Sequence, residues 1–272
     1  MWSAGVHDFL GTKSACFEHS VIKLTLRGIH FKENNMRAVI LAAGIGSRLG
    51  NPFPKSLSMI PGRERILGRQ IRILRKFGVR EIFVVVGFKK ELIMEEFPQV
   101  YFRYNPVYYL TNTSKSLLHA LEDMDDDVIW ANGDVVFDEE VIRRIVDADG
   151  NVVMVDRSEC GDEEVKYRTN ERNEIIEISK TVVNGEGEAV GINRVCRADL
   201  PALVQALRQC KDQDYFEKGL EMLIERNVFF KSLDVSQFRC IEVDFEEDLS
   251  KARDMFADYH APSGAVADAI AF

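Results

Sequence analysis

The fold is decided by residues 37–55, which read Arg37-Ala-Val-Ile-Leu-Ala-Ala-Gly44-Ile-Gly46-Ser-Arg48-Leu-Gly-Asn-Pro-Phe-Pro54-Lys55. The apolar run at residues 39–41 is typical of a parallel strand that is buried on both faces. Gly44 and Gly46 follow it, and glycine lets the backbone adopt conformations that a side chain forbids. Successive N–H groups in such a loop can converge on phosphate oxygens. The stretch therefore predicts a buried strand that leads into a phosphate-binding loop.

Two cations, Arg48 and Lys55, follow these glycines. The planar guanidinium of Arg48 can bridge oxygens of two phosphates, whereas the Lys55 ammonium is a compact charge on a flexible chain. Pro54 restricts the backbone directly before Lys55. Taken together, the strand, the glycines and the two cations favour a nucleoside triphosphate as the ligand.

Other glycine-rich loops have different spacings. A dinucleotide-binding fingerprint needs G-x-G-x-x-G at the start of a helix, and Gly44, Gly46 and Gly50 do not have that spacing. A P-loop needs G-x-x-x-x-G-K followed by Ser or Thr, whereas Lys55 follows Pro54 here. For the glycines alone, an ordinary turn with solvated cations is an equally good alternative.

Strand-like and helix-like patterns alternate along the rest of the chain. Helical apolar spacing occurs at residues 66–77, 89–97 and 114–123, the last with Ser114 as its N-cap. Strand patterns occur at residues 81–86, 100–104 and 128–131. Such alternation with short connections predicts an α/β class: a single Rossmann-like domain with a mostly parallel twisted sheet and helices on both faces. Ligands then bind at the carboxyl ends of the strands.

Three charged residues lie where strand patterns end. Asp134 follows Gly133, Asp244 ends the alternating run at residues 240–244, and Lys180 follows a similar run. Carboxylates in such positions suit Mg²⁺, which prefers oxygen and usually takes one or two protein carboxylates. An aspartate after Asn-Gly can equally bond its own backbone in a turn. A lysine at a strand end is more often a solvated charge.

Residues 36–57 resemble the signature of nucleotidyltransferases that activate sugar phosphates and related phosphate monoesters, L-A-A-G-x-G-x-R-L followed by P-K. The resemblance extends from about Met36 to about Phe256. The short gap between Arg48 and Lys55 is more similar to inositol-phosphate and phosphocholine cytidylyltransferases, or to the molybdenum cofactor guanylyltransferase, than to hexose-1-phosphate enzymes.

The resemblance implies roles for these residues. Arg48 and the amides of residues 44–47 hold the β- and γ-phosphates, Lys55 meets the α-phosphate, and Lys180 contacts the phosphate of the acceptor. A small β-rich lid at residues 152–195 covers that acceptor. The cofactor is Mg²⁺, bound by Asp134 and Asp244. Nucleotide contacts are expected at Leu41, Ala42, Ala43, Gly44, Gly46, Ser47, Gly87, Asn112, Ser116 and Gly133.

Residues 104–117 resemble the N-P-x-Y and T-N-x-x-S-L elements of the phosphocholine and inositol-phosphate cytidylyltransferases. An amide such as that of Asn112 both donates and accepts hydrogen bonds, as reading a pyrimidine edge requires, and Ser116 could cap or bond nearby. Lys115 departs from the family, in which an aromatic residue is frequent. Because a quaternary ammonium prefers an aromatic cage, Lys115 argues against choline as the acceptor group.

The composition fits a soluble enzyme. The 272 residues are 46% hydrophobic, which suffices for one large α/β domain. Because nucleic-acid backbones need a broad basic face, the net charge of −9 predicts no nucleic-acid partner. No apolar run is long enough to cross a bilayer and no signal peptide is evident, which predicts no membrane contact. Five scattered cysteines without ligand spacing favour reduced thiols and a cytoplasmic location.

The chain is expected to have three parts. Residues 1–35 form a weakly ordered extension, residues 36–258 the nucleotidyltransferase domain, and residues 259–272 a tail. An added strand or an oligomer contact is the alternative for the extension, and a homodimer stays an open expectation.

Three functional hypotheses follow. The first is Mg²⁺-dependent nucleotidyl transfer from a nucleoside triphosphate, CTP being favoured, to a small phosphate or phosphonate monoester with release of pyrophosphate. The second is the same fold acting on a sugar-1-phosphate with UTP, GTP or dTTP. The third is a non-catalytic nucleotide-sensing subunit, against which the two aspartates and the two phosphate-binding cations argue.

Overall fold

The computed structural model describes residues 36–49, 52–158, 160–161 and 163–259. The expected extension at residues 1–35 lies outside the described residues, and so does the expected tail apart from Tyr259. The boundaries expected for the nucleotidyltransferase domain therefore stay predictions.

The described residues form thirteen strands and seven α-helices. The strands are β1 (Met36–Ala42), β2 (Met59–Ile60), β3 (Glu64–Arg65), β4 (Glu81–Val86), β5 (Tyr101–Tyr104), β6 (Asp127–Asn132), β7 (Val135–Phe137), β8 (Asn151–Asp156), β9 (Lys166–Thr169), β10 (Ile175–Ser179), β11 (Glu188–Val195), β12 (Phe230–Asp234) and β13 (Cys240–Glu242). The helices are α1 (Ile66–Lys76), α2 (Lys90–Glu96), α3 (Thr113–Leu121), α4 (Glu139–Asp147), α5 (Leu200–Gln209), α6 (Glu217–Glu225) and α7 (Glu246–Met255). In this part of the chain, no helix has both the length and the apolar character that a membrane span needs.

Nine strands form one sheet, whose centre is the parallel set β6-β1-β4-β5. β1 lies between β4 and β6, so that Val39 is opposite Phe83 on one side and Trp130 on the other. Val39 and Ile40 are fully buried, as the apolar run predicts. The parallel arrangement brings the carboxyl ends of these strands to one edge. The predicted α/β class with a mainly parallel central sheet is confirmed.

Helices cover both faces of this sheet. Ile40 of β1 belongs to the core cluster that contains Ile73 of α1 and residues of α4. Its neighbour Val39 belongs to the opposite cluster, with Leu117 of α3 and Leu207 of α5. Because successive side chains of a strand point to opposite faces, β1 contributes to two cores.

β11 connects the parallel strands to the segment that was expected to form a lid. It pairs antiparallel with β6 and β8 and contacts β9, which pairs with β10. The β-rich segment at residues 152–195 is thus present as an antiparallel continuation of the central sheet. The register of β11 on β8 shifts between Ala189 and Asn193, where Gly191 has a φ of +71° that favours glycine.

α3 begins one residue earlier than the predicted N-cap. Asn112 caps the helix, and its Oδ1 accepts a hydrogen bond from the N–H of Thr113 at 2.8 Å. Ser114 is instead buried within the first turn, so its prediction as the N-cap is wrong. Asn and Ser have similar capping preferences, which is why the sequence could not decide between them.

Candidate active site

An open cleft of about 370 Å³ lies at the carboxyl edge of the parallel strands. It is lined by the loop after β1 and by residues at the ends of β6, β10, β11 and β13. A second cavity of about 140 Å³ shares Leu41, Gly44, Gly46, Lys55 and Asp134 with the cleft. The position is the one that a parallel α/β sheet predicts for its ligand.

The loop after β1 needs glycine at one position and leaves open space at another. Gly46 has a φ of +65°, and a Cβ built there would lie 2.6 Å from Cγ of Lys55. A Cβ at Gly44 would have no other atom within 4 Å. Ser47 then begins a short 3-10 turn that contains Arg48. The absence of a side chain at Gly46 leaves the space that the Lys55 side chain occupies. The absence of a side chain at Gly44 leaves the backbone accessible from both cavities.

Gly133 joins the end of β6 to this loop. Its N–H donates to the Leu41 carbonyl at 2.9 Å, and a Cβ at this position would lie 2.7 Å from the same oxygen. Only glycine permits this approach of the two backbones. The contact places Asp134 next to the loop.

A separate pair of strands brings the carboxylates together. β7 and β13 are antiparallel with Val135 opposite Glu242, and the Val243 N–H donates to the Asp134 carbonyl at 3.0 Å. Carboxylate oxygens of Asp134, Glu242 and Asp244 consequently lie within 4.8 Å of one another. The two predicted metal ligands are therefore neighbours, with a third carboxylate beside them.

Glu242 is absent from the set of ligands that the sequence predicts. The run at residues 240–244 alternates in polarity, and residues two apart in a strand share a face. Glu242 and Asp244 are two apart, and this spacing is the signal that could have identified Glu242.

The beginning of α7 holds the backbone at Asp244. Oδ2 of Asp248 accepts hydrogen bonds from the N–H groups of Phe245 at 2.9 Å and of Asp244 at 3.3 Å. A side chain in the third helical position that bonds the N-cap backbone is one half of a capping box. Asp248 thereby links the helix start to the position of a predicted metal ligand.

The two predicted phosphate-binding cations lie against these carboxylates. Lys55 forms an ion pair with Asp244, and its Nζ lies 3.8 Å from Oδ2 of Asp134. Nη1 of Arg48 lies 3.2 Å from Oδ2 of Asp244. The Lys55 side chain is 12% exposed and that of Arg48 is 51% exposed. The Lys55 ammonium is therefore largely buried in the cleft, whereas the Arg48 guanidinium is at its solvent-exposed side.

The carboxylate group fits a divalent cation. Burial raises the pKa of Asp134 to about 6, although Lys55 opposes this rise, and Asp244 adds to it. The pKa of Glu242 is raised as well, by desolvation of its carboxyl group and by Asp134 and Asp244, although the residue as a whole is exposed. A bound cation would relieve the repulsion among these groups. Hard oxygen donors are the ligands that Mg²⁺ prefers, so the donor set suits that ion.

Lys180 reaches the same cleft from another strand. It follows β10 directly and lines the cleft together with Arg48 and Lys55. Its Nζ lies 3.8 Å from Oε2 of Glu163 and 4.7 Å from the centre of the Tyr215 ring. The structure thus brings the three predicted cations to one cleft, as adjacent strand ends allow.

Four predicted nucleotide contacts, Ala43, Gly87, Asn112 and Ser116, are not among the described residues that line either cavity, and the side chain of Ser47 is outside what the structure describes. Asn112 caps α3, and Oγ of Ser116 accepts a hydrogen bond from Nδ2 of Asn105 at 3.1 Å. A Cβ at Gly87 would lie 2.5 Å from the Ala43 carbonyl. Gly87, Asn112 and Ser116 thus have structural roles, and the nucleotide contacts of all these residues stay predictions.

Lys115 is also outside the residues that line the cleft. Its Nζ donates to the carbonyls of Leu207 at 3.2 Å and Arg208 at 3.4 Å, at the end of α5. A cation is favourable at the C-terminus of a helix. The argument that Lys115 opposes a cationic acceptor group is therefore wrong, because α5 accounts for this charge.

Comparison with solved structures shows which class of protein has this fold. CTP:phosphocholine cytidylyltransferase from Streptococcus pneumoniae matches with a TM-score of 0.71 and 19% identity, over 81% of this chain and 99% of that chain. At this identity the match shows a nucleotidyltransferase fold alone. The model of the MobA-like NTP transferase domain matches residues 38–223, which is more than half of the 272 residues. The chain belongs to this family.

Two curated relatives are similar over part of the chain. CMP-5'-(3-aminopropyl)phosphonate synthase from Streptomyces rubellomurinus is 39% identical over 122 residues, or 42% of this chain and 19% of that protein. UTP–glucose-1-phosphate uridylyltransferase from Haloferax volcanii is 31% identical over 157 residues, or 53% of this chain and 64% of that protein. The matches cover less than two thirds of the length of these two relatives.

Proposed function

We propose that the protein is a Mg²⁺-dependent cytidylyltransferase that uses CTP and a small phosphate or phosphonate monoester and releases pyrophosphate. One observation carries this proposal: a single cleft combines the glycine loop, the cations Arg48, Lys55 and Lys180, and the carboxylates Asp134 and Asp244. Such a transfer needs cations for the triphosphate, oxygen ligands for a metal and a further cation for a second phosphate.

The reaction is an in-line displacement at the α-phosphorus. A bond forms between an oxygen of the acceptor phosphate and this phosphorus, while the bond to the β-phosphate oxygen breaks and its electron pair leaves with pyrophosphate. In this proposal the amides of residues 44–47 and Arg48 hold the β- and γ-phosphates. Lys55 neutralises charge that develops at the α-phosphate, and Lys180 positions the acceptor. Catalysis is then positioning and charge neutralisation.

Asp134, Glu242 and Asp244 would hold the Mg²⁺, which when bound supplies positive charge to the phosphate oxygens. Lys55 is well placed for its proposed role because its chain runs beside Gly46 and its ammonium lies at Asp244. The ammonium therefore stands between the phosphate-binding loop and the carboxylates.

Two observations favour CTP. The short gap between Arg48 and Lys55 is more similar to cytidylyltransferases, and to a guanylyltransferase, than to hexose-1-phosphate enzymes, and the relative from Streptomyces rubellomurinus is named for a CMP-linked phosphonate. Because another relative is named as a uridylyltransferase for glucose 1-phosphate, UTP with a sugar-1-phosphate is the alternative that an experiment must exclude.

The test measures pyrophosphate release with Mg²⁺ and each of CTP, UTP, GTP and dTTP, against 2-aminoethyl phosphate, inositol 1-phosphate and glucose 1-phosphate. The expected result is the highest kcat/KM with CTP and an acceptor other than the sugar-1-phosphate. Faster turnover with UTP and glucose 1-phosphate would overturn the proposal. Nucleotide binding without turnover under every condition would instead indicate a nucleotide-sensing subunit.

A matched pair of lysine variants tests the site itself. Lys55→Ala should lower kcat by about 10²- to 10³-fold, the usual loss when one group that stabilises a transition state is removed. Lys231→Ala removes an exposed lysine in β12 and should keep the activity. Equal activities of the two variants would contradict the role given to Lys55.

A further inference from the structure

The cleft holds more negative charge than a metal site accounts for. Asp134, Glu242 and Asp244 form the carboxylate group that suits a cation. Four further glutamates line the same cleft: Glu163, Glu164, Glu188 and Glu217. Three cations, Arg48, Lys55 and Lys180, also line the cleft, and Lys180 lies near Glu163. Beyond the group that suits a metal, the cleft therefore has carboxyl groups that a positive group on the acceptor could pair with.

Glu217 is the most unusual of these glutamates. Its side chain lines the cleft although the residue is only 7% exposed, and its Oε2 has no hydrogen-bond partner among the described residues. Its position as the first residue of α6 explains a preference for an acidic side chain, but not an unbonded oxygen. A buried carboxylate oxygen without a donor is costly, and burial raises the pKa of Glu217 to about 7, although Lys180 opposes this rise.

The neighbours of Glu217 do not supply the missing donor. Lys180 lies over the ring of Tyr215 and near Glu163, and no hydrogen bond joins its ammonium to Glu217 in the described part of the chain. A metal ion is a poor candidate, since Glu217 is outside the carboxylate group whose oxygens lie within 4.8 Å of one another. Lys115 does not compete for this space, because it is bonded to α5.

We infer that the acceptor is zwitterionic: its phosphate or phosphonate lies at Lys180, and an ammonium group at its other end pairs with Glu217. Tyr215 lies two residues before Glu217 and also lines the cleft, so its ring can contact the same cation. This inference rests on the proposed function, because it takes the cleft to be the acceptor site of a nucleotidyl transfer.

The experiment uses two acceptors that differ only in the ammonium group, 2-aminoethyl phosphate and ethyl phosphate, with CTP and Mg²⁺ on the full chain. We expect kcat/KM to be higher for the amine by about tenfold or more, as the loss of one partner of a buried charge pair implies. Glu217→Gln should reduce this ratio toward one, mainly through a higher KM for the amine. Glu225→Gln removes a carboxylate from the exposed end of the same helix and should keep the ratio.

The ratio of the kcat/KM values for the two acceptors distinguishes a role of Glu217 in recognising the ammonium group from a role in stabilising the fold. If Glu217 were only structural, Glu217→Gln would lower kcat/KM for both acceptors alike, and the unchanged ratio would overturn the inference. The unmodified protein provides a second test that needs no variant. A kcat/KM for ethyl phosphate equal to that for 2-aminoethyl phosphate, or a higher value for glycerol 3-phosphate, would also overturn the inference. Either result would still demonstrate cytidylyl transfer. Turnover with UTP and glucose 1-phosphate alone would refute the proposed function itself, and the inference with it.

Discussion

Replacement of Gly46 by alanine tests how the proposed phosphate-binding loop positions Lys55. An alanine at φ +65° adopts a left-handed conformation, which costs about 1–2 kcal/mol for a residue with a Cβ. The new Cβ would also lie 2.6 Å from Cγ of Lys55, closer than real Cβ contacts allow, so the lysine chain must move. Displacement of this ammonium should lower kcat by about 10²-fold, near the lower end of the loss for one transition-state contact.

Gly78 is the matched control for this variant. Its φ is +87°, and a Cβ there would have no other atom within 4 Å, so Gly78→Ala imposes backbone strain without a clash. Both variants should lose about 1–2 kcal/mol of unfolding free energy, measured by urea denaturation. Only Gly46→Ala should lose turnover, measured as pyrophosphate release. The reasoning would be refuted if Gly46→Ala kept the kcat of Gly78→Ala, since the Lys55 chain could then not depend on the glycine.

Three further changes have defined outcomes. Asp134→Asn should lower Mg²⁺-dependent pyrophosphate release about 10²-fold or more with an unchanged circular dichroism spectrum, and near-normal turnover would contradict its role as a ligand. Asp248→Ala removes the acceptor for the backbone N–H of Asp244, so unfolding free energy should fall by about 0.5–2 kcal/mol and the half-saturating Mg²⁺ concentration should rise. An unaltered Mg²⁺ titration would show that this cap does not position Asp244. Leu207→Ala empties a fully buried site and should cost about 2–5 kcal/mol in urea denaturation, while a loss below about 1 kcal/mol would contradict its place in the core.

Local chemistry made much of the site predictable. The strand at residues 39–41, the glycines after it and the two cations lie within 20 residues of one another, and their spacing alone indicates a phosphate loop. Asp134 and Asp244 were predictable because each ends a strand pattern, and parallel strand ends meet at one edge. Their roles in binding stay predictions until the variants are measured.

Predictions that depend on long-range contacts were less successful. Lys115 looked like a cation near the acceptor, yet it bonds carbonyls at the end of α5, about 90 residues further along the chain. Ser114 looked like the N-cap of α3, but Asn112 has that role. In each case the side chain was compatible with more than one role in sequence, and the folded structure decided which role it has.

The sequence by itself determined the α/β class, the glycine-containing loop after β1, and the presence of strand-end aspartates and lysines, because periodicity and glycine placement are local properties. Only the tertiary structure decided that Glu242 joins Asp134 and Asp244, since this depends on the register of β7 on β13. Only packing decided that Glu217 is buried at the cleft with one carboxylate oxygen unbonded among the described residues. Register and burial arise from segments far apart in the chain, so no single motif predicts their consequences for the proposed metal site and the proposed acceptor.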